Sequence, residues 1–448
     1  MKKITSSHPL KSVKSMLLLS SILLLHTTGK AQDKTNFLSA EESDPIKMGW
    51  MQGSPPPDNR ILRFEDGSFF DFPGMRWSVA HMRQFMPTVT VSKGLNSAAP
   101  LSTNLNVQID NITFTPIGLK QTMTWNESLL KNYTDGILVM HRGKIVYEKY
   151  FGALNIDGQH AAMSMTKSLI GTLASTLVQE GTINPDKTVA FYIPELKTSA
   201  FGDATVRQVM DMTTALKFSE DYADPNAEIW KFSAAGNPLP KPKDYNGAKT
   251  YYEYLPTVKK QGKHGDSFGY KTVNTDVLGW IIARVTGKNV ADVLSEKIWS
   301  KLGMDQDAYF SVDAIGTPFA GGGSNMELRD MARFGELIRN EGFANGQQII
   351  PKAAITDIKK GGNKKAFKKS NYTLLKGWSY RNMWWITHNE NGAFMARGVH
   401  GQAIYIDPKA EMVIVRFASH PVAANGANDP FSLPAYHAVA KYLMEQKK

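Results

Sequence analysis

The sequence predicts an α/β fold in which an antiparallel sheet, flanked by helices, carries an inserted and mostly helical domain. Three observations point there. Hairpin patterns stand at both ends of the core, helical patterns fill the stretch between them, and no internal repeat of about 20 to 50 residues suggests a solenoid or propeller. With 448 residues, 42% hydrophobic and 21% charged, the chain is long enough for one large domain or two ordinary ones and too apolar for wholesale disorder.

The first 31 residues read as a secretory signal. Lys2, Lys3, Lys11 and Lys14 precede a largely apolar run over 16–25, and small residues lead to Ala31 before Gln32. The run is too short to span a bilayer, and no later segment offers about 18 uninterrupted apolar residues, so no stable membrane anchor is expected. The expected location is periplasmic or secreted. With no cysteine in the chain, disulfides, thiolate metal sites and cysteine nucleophiles are excluded.

Residues 32–110 form a turn-rich extension with scattered aromatics, among them Trp50, Phe69, Phe70 and Trp77. At 136–151 two β-prone runs meet at Arg142-Gly143, a hairpin signal. A second pair, 402–407 and 411–417, turns at Pro408-Lys409-Ala410, and a final helix is expected over 434–444. Helical spacing occupies 164–179, 206–212, 276–285 and 326–339. The expected division is an α/β domain from 112–195 and 300–448 with a helical insert over 196–299.

The net charge of +11 drops to a small excess, 47 basic against 41 acidic residues, once the five lysines of the first 31 positions are set aside. The one dense basic run, 359–369, is broken by Gly361, Gly362 and Asn363 and reads as a solvated loop, so no nucleic-acid partner is expected. Ten histidines show no His-Glu-x-x-His or close pair, and there is no phosphate-binding loop, so neither a metal nor another cofactor is implied. Gly321-Gly322-Gly323 reads as a tight turn.

Two Ser-x-x-Lys tetrads occur. Ser128 to Lys131 sits in polar surroundings with no long apolar helix after it. Ser164-Met165-Thr166-Lys167 instead opens an amphipathic helix in which Ile170, Leu173, Ala174, Leu177 and Val178 recur at helical spacing. A serine in the first turn lies near free N–H groups, and a lysine three residues on shares its face; a desolvated lysine could then accept the serine proton. On the tetrad alone, a capping serine with a surface lysine is an equal account. Gly265-Asp266-Ser267-Phe268-Gly269 matches a nucleophile elbow but lacks both the preceding strand and the following helix, which leaves Ser267 as a loop serine.

Three ordered stretches together resemble the serine β-lactamase and penicillin-binding-protein superfamily, class C-like. They are Ser164-x-x-Lys167, the segment Phe268-Gly269-Tyr270-Lys271-Thr272-Val273-Asn274-Thr275-Asp276-Val277-Leu278-Gly279-Trp280, and Gly398-Val399-His400-Gly401-Gln402 leading into a strand. The stretches Phe218 to Pro225 and Trp50 to Pro57 are more similar to 6-aminohexanoate-dimer hydrolases and related esterases. The resemblance implies a β-lactamase/transpeptidase-like fold and a serine hydrolase cleaving a small-molecule ester or amide, exported on the reading of residues 1–31 as a secretory signal. The alternative within it is a β-lactamase or D-alanyl-D-alanine carboxypeptidase. By motif, Ser164 would be acylated, Lys167 would be its base, and Tyr270 would share the proton relay. The backbone N–H groups of Ser164 and Gln402 would form the oxyanion hole, and Tyr222, His400 and Gly401 would contact substrate. Two departures, Thr272 in place of asparagine and Val399-His400 in place of a Lys-Thr pair, imply weak or absent β-lactam turnover and a preference for esters or small amides.

Overall fold

The computed structural model describes residues 37–446. The expected signal segment lies outside them. The elements that build the site are, in chain order, α1 (Trp125–Lys131), β1 (Thr134–His141), β2 (Lys144–Tyr150), α2 (Met165–Gln179), α3 (Val273–Thr286), α4 (Leu328–Arg339), β3 (Ser379–Arg381), β4 (Trp384–Ile386), β5 (Phe394–Gly398), β6 (Gln402–Asp407), β7 (Met412–Ala418) and α5 (Asp429–Glu445).

Seven strands form one sheet in the order β3-β4-β5-β6-β7-β1-β2, every neighbouring pair antiparallel. The two ends of the core meet at β7 and β1, where Met412 pairs His141 and Ile414 pairs Val139. The β1–β2 hairpin turns at Arg142-Gly143, both in the left-handed region (φ 52° and 76°), the twist that suits a two-residue connection between right-twisted strands. All seven residues of β7 are buried, because helices cover both faces of the sheet. Ile404 and Val413 approach Gly335 of α4 on one face, while Tyr405 meets Tyr436 of α5 on the other, ring centroids 5.3 Å apart.

A smaller four-stranded sheet, Thr88–Val91, Ala308–Ser311, Ser324–Glu327 and Gln159–Ala161, runs beside the site. Its first strand comes from the N-terminal extension, which also accepts the Ala161 N–H on the Val79 carbonyl at 2.8 Å. Over 196–299 the regular elements are Val206–Met210, Glu228–Gly236, Tyr251–Tyr254, α3 and Val290–Lys297, with a two-residue ladder between Leu216–Lys217 and Lys259–Lys260; more than half of the stretch is turn and loop, because the inserted helices are short. Among the described residues no helix is long and apolar enough to cross a membrane.

Three local expectations are corrected. The basic run over 359–369 is not a solvated loop: it spans the ends of two short helices, Lys352–Lys360 and Lys364–Lys368, because Ala366 and Phe367 are buried and Phe367 stacks on Phe268 at 4.8 Å. The last helix starts at Asp429, not Pro434; Pro430 occupies the first turn, where a missing N–H is harmless, and Pro434 lies inside the helix. Residues 326 and 327 belong to a strand, and α4 begins at Leu328.

Candidate active site

Ser164 stands at the N-cap of α2, delivered by Met163 in the left-handed region (φ 46°), a conformation an unbranched side chain tolerates at modest cost. Its side chain makes no capping bond. Instead Lys167 Nζ lies 2.8 Å from Ser164 Oγ and donates to the Gly321 carbonyl at 2.5 Å. Lys167 is 1% exposed, so the surface-lysine alternative fails. Burial is the main influence on this amine and lowers its pKa to about 8, while the carboxylates of Glu220 and Asp276 pull it upward.

The start of α2 is locked on two sides. Thr166 Oγ1 accepts the Ser324 N–H at 3.2 Å and lies 2.6 Å from Ser324 Oγ, tying the helix to the small sheet. Ser168 Oγ donates to the Met383 carbonyl at 2.7 Å, and Trp384 Nε1 donates to Thr172 Oγ1 at 3.0 Å, tying it to the β3–β4 turn. Gly171 allows that approach: a Cβ there would stand 2.2 Å from the Asn382 carbonyl oxygen.

Tyr270 stacks on Trp385 of β4 with centroids 5.3 Å apart, and Lys167 Nζ lies 5.1 Å from its ring centre. Burial raises its phenol well above the usual range; hydrogen bonding with Ser164 opposes the rise and the neighbouring Glu220 adds to it. Tyr270 therefore stands neutral beside Ser164 and holds a proton it can donate. The third motif arrives by close approach. A Cβ at Gly398 would lie 3.0 Å from the Ala162 carbonyl oxygen and 2.9 Å from Gln402 Cβ, so glycine lets the β5–β6 end sit against the turn that presents Ser164. The Gln402 side chain is spent on the strand ends: Oε1 accepts the Ala418 N–H at 3.0 Å, and Nε2 donates to the Ala418 carbonyl at 2.5 Å.

Ser164, Tyr270 and Tyr222 line one cleft of about 250 Å³, together with Glu220, Trp385, Arg397, Asp429 and the segment 371–375. His400 and Gly401 do not line it. The His400 ring packs edge-on to Phe70 of the extension at 5.6 Å, and its Nδ1 lies 2.7 Å from the His420 carbonyl oxygen, with burial lowering its pKa. Gly401 (φ 99°) gives its carbonyl to Arg416 Nε at 2.7 Å. Arg397 points into the cleft but is committed, its guanidinium donating to both carboxylate oxygens of Asp429, one of them at 2.6 Å. Ser128 and Ser267 are elsewhere: Ser128 Oγ is bonded to the Trp125 carbonyl within α1, and Ser267 is in an exposed loop.

Sequence reasoning missed Glu220, Asp276 and the 371–375 segment. Glu220 accepts the Thr272 N–H at the start of α3, replacing a local cap across 52 positions of sequence, and it faces Lys167. Its only sequence signal was its place in the Phe218 to Pro225 stretch. Away from the cleft, Asp305, Glu327 and Asp330 bring carboxylate oxygens within 4.8 Å of one another, a geometry that could hold a cation; Arg333 donates to Asp305 at 2.6 Å and Asp330 at 2.9 Å and supplies counter-charge there.

The sequence profile of the Beta-lactamase family matches residues 128–433. Over 363 residues the chain is 34% identical to the 6-aminohexanoate-dimer hydrolase of Paenarthrobacter ureafaciens, taking in 79% of this chain and 88% of the relative. A solved Bacillus anthracis structure, described as a candidate 6-aminohexanoate-dimer hydrolase, superposes with a TM-score of 0.78 at 35% identity, covering 88% of this chain and 100% of that one. A penicillin-binding-protein homologue from Caulobacter crescentus, 17% identical, shares the fold with a TM-score of 0.53 over 70% of this chain and 96% of its own. An antiparallel sheet flanked by helices, a Ser-x-x-Lys pair at the head of a buried helix and these likenesses together place the chain in the Beta-lactamase family, as a serine hydrolase.

Proposed function

We propose that this protein cleaves small esters or amides through an acyl-enzyme on Ser164. One observation carries the reading: a fully buried lysine, its proton affinity depressed by desolvation, stands 2.8 Å from a serine hydroxyl that opens on a cleft. Lys167 takes the hydroxyl proton as Ser164 Oγ attacks the substrate carbonyl. The backbone N–H groups of Ser164 and Gln402 receive the developing oxyanion. Tyr270 passes a proton to the leaving alcohol or amine and recovers it from Lys167, and in the second half the same groups remove a proton from water as it attacks the acyl carbon. The cleft is small and walled by Trp385 and Tyr372, which favours slim linear substrates; amides of linear ω-amino acids, the class named for the Paenarthrobacter relative, are the first to test. With residues 1–31 read as a secretory signal, the working enzyme is exported.

The pH profile checks the base. A lysine ammonium cannot accept a proton, so activity requires the neutral amine. Plotted against pH, kcat/KM for a short p-nitrophenyl ester should rise through an apparent pKa near 8 and flatten above it. A profile flat from pH 6 to about 10 would remove Lys167 from that role.

The reading as a β-lactamase or D-alanyl-D-alanine carboxypeptidase needs a free cation for the substrate carboxylate. Arg397 is the one cationic side chain among the described residues lining the cleft, and Asp429 already neutralises it. Nitrocefin turnover is therefore expected to fall at least about 100-fold below p-nitrophenyl ester turnover in kcat/KM, the factor that about 2.7 kcal/mol of lost ion pairing represents. Comparable rates for the two would restore the cell-wall reading.

A further inference from the structure

Asp276 enters none of the steps above, yet it stands directly behind the base. Its Oδ1 accepts the Gly321 N–H at 3.2 Å, and the carbonyl of the same residue accepts from Lys167 Nζ at 2.5 Å. The other carboxylate oxygen, Oδ2, is buried with no hydrogen-bond partner, in a residue only 5% exposed. Glycine at 321 is required between these groups: a Cβ there would lie 2.7 Å from Asp276 Oδ2 and 2.4 Å from Thr272 Cγ2. A buried carboxylate with a free lone pair is expensive unless a charge nearby repays it, and the cation acting on this one is Lys167.

We propose that Asp276 is a positioning residue for Lys167, fixing the amine through the backbone of Gly321, whose N–H and carbonyl bond the two side chains, and setting through its charge the pH at which that amine is free. The inference rests on the reading of Lys167 as base. The groups facing Asp276 are Lys167 from α2, Glu220 from the loop after Leu216–Lys217, Tyr251 and Tyr252 from the helix Tyr251–Tyr254, and the backbone amides of Ala320 and Gly321. Burial raises the Asp276 carboxyl and the lysine opposes the rise. In the other direction, the carboxylate charge helps Lys167 keep its proton against desolvation. Removing that charge leaves desolvation less opposed, so the amine deprotonates at lower pH and is a weaker base once free.

The test compares the purified wild-type chain with Asp276→Asn, Asp276→Ala and Asp276→Glu. Profiles of kcat and kcat/KM against pH are measured with a short p-nitrophenyl ester, and rates are normalised to the fraction of Ser164 labelled by a fluorophosphonate in intact-mass spectra. Asp276→Asn keeps an acceptor for the Gly321 N–H but loses the charge, and should move the acidic limb down by about one pH unit with KM little changed. Asp276→Ala loses both and should in addition lower the plateau kcat about tenfold or more. Asp276→Glu should restore the limb towards wild type. If Asp276→Ala fails to fold, the nearly isosteric Asp276→Asn still decides. An unmoved limb in Asp276→Asn, with wild-type Ser164 labelled, overturns the role of Asp276 alone. A wild type with no label on Ser164 overturns the nucleophile reading instead.

Discussion

Replacing Lys167 with methionine should lower kcat for a short p-nitrophenyl ester about 1,000-fold or more while leaving KM within about threefold, because the loss falls on proton transfer and not on ground-state binding. Methionine has nearly the length of the lysine stem and suits a site that is 1% exposed, so the helix start should remain packed. What disappears is the amine 2.8 Å from Ser164 Oγ and its bond to the Gly321 carbonyl. Glu220 and Asp276 lose their shared cation, and their carboxyls, already raised by burial, should hold protons to still higher pH. Steady-state kinetics across pH, with circular dichroism as a folding control, checks this; a variant with more than about a tenth of wild-type kcat would show that another group is the base.

The second large effect is on the fold that aims the nucleophile. Gly171→Val should destabilise the protein by about 3 kcal/mol, at the upper end for overpacking, because the new Cβ would meet the Asn382 carbonyl oxygen at 2.2 Å and Met383 Cβ at 2.6 Å. That turn has little freedom to retreat. Asn382 and Met383 both hold positive φ (50° and 65°), the Asn382 N–H donates to Asp211 Oδ1 at 3.1 Å, and the Met383 carbonyl accepts from Ser168 Oγ. Thermal denaturation should show a midpoint several degrees below wild type, with slower acylation of the folded fraction as α2 shifts. An unchanged midpoint would mean that α2 is not seated against β3 and β4 as described.

The parts of this molecule that were legible in its sequence are those that short-range pattern encodes. The β1–β2 and β6–β7 hairpins follow from β-prone runs around turn residues, and α2 from apolar spacing after Ser164. Strands β3 and β4 were not legible, since each is three residues long and their connection, Asn382-Met383, is not a usual turn pair. The basic run over 359–369 misled because charge density hid Phe367, whose burial is decided by Phe268 about a hundred positions earlier. The same limit applies to the site. Ser164 and Lys167 share one turn of helix and can be read together, whereas Glu220, Asp276 and Gly321 reach Lys167 from separate elements, and nothing within their own stretches, Phe218 to Pro225, Phe268 to Trp280 and the triple-glycine turn, marks them as its neighbours. His400 shows the converse: its motif placed it at the substrate, but its ring is turned into a packed layer between Phe70 and His420, where its left-handed backbone (φ 62°) carries it.

The central claim is that Ser164 is the atom-bearing residue of an acyl-enzyme. Intact-mass spectrometry of the wild-type chain and the Ser164→Ala variant, quenched during turnover of a slow p-nitrophenyl ester, tests it directly. The wild type should show an acyl-sized mass increase that maps to the peptide containing Ser164, and the variant neither adduct nor turnover. Turnover that survives Ser164→Ala, or an adduct on another residue such as Ser267, would contradict it.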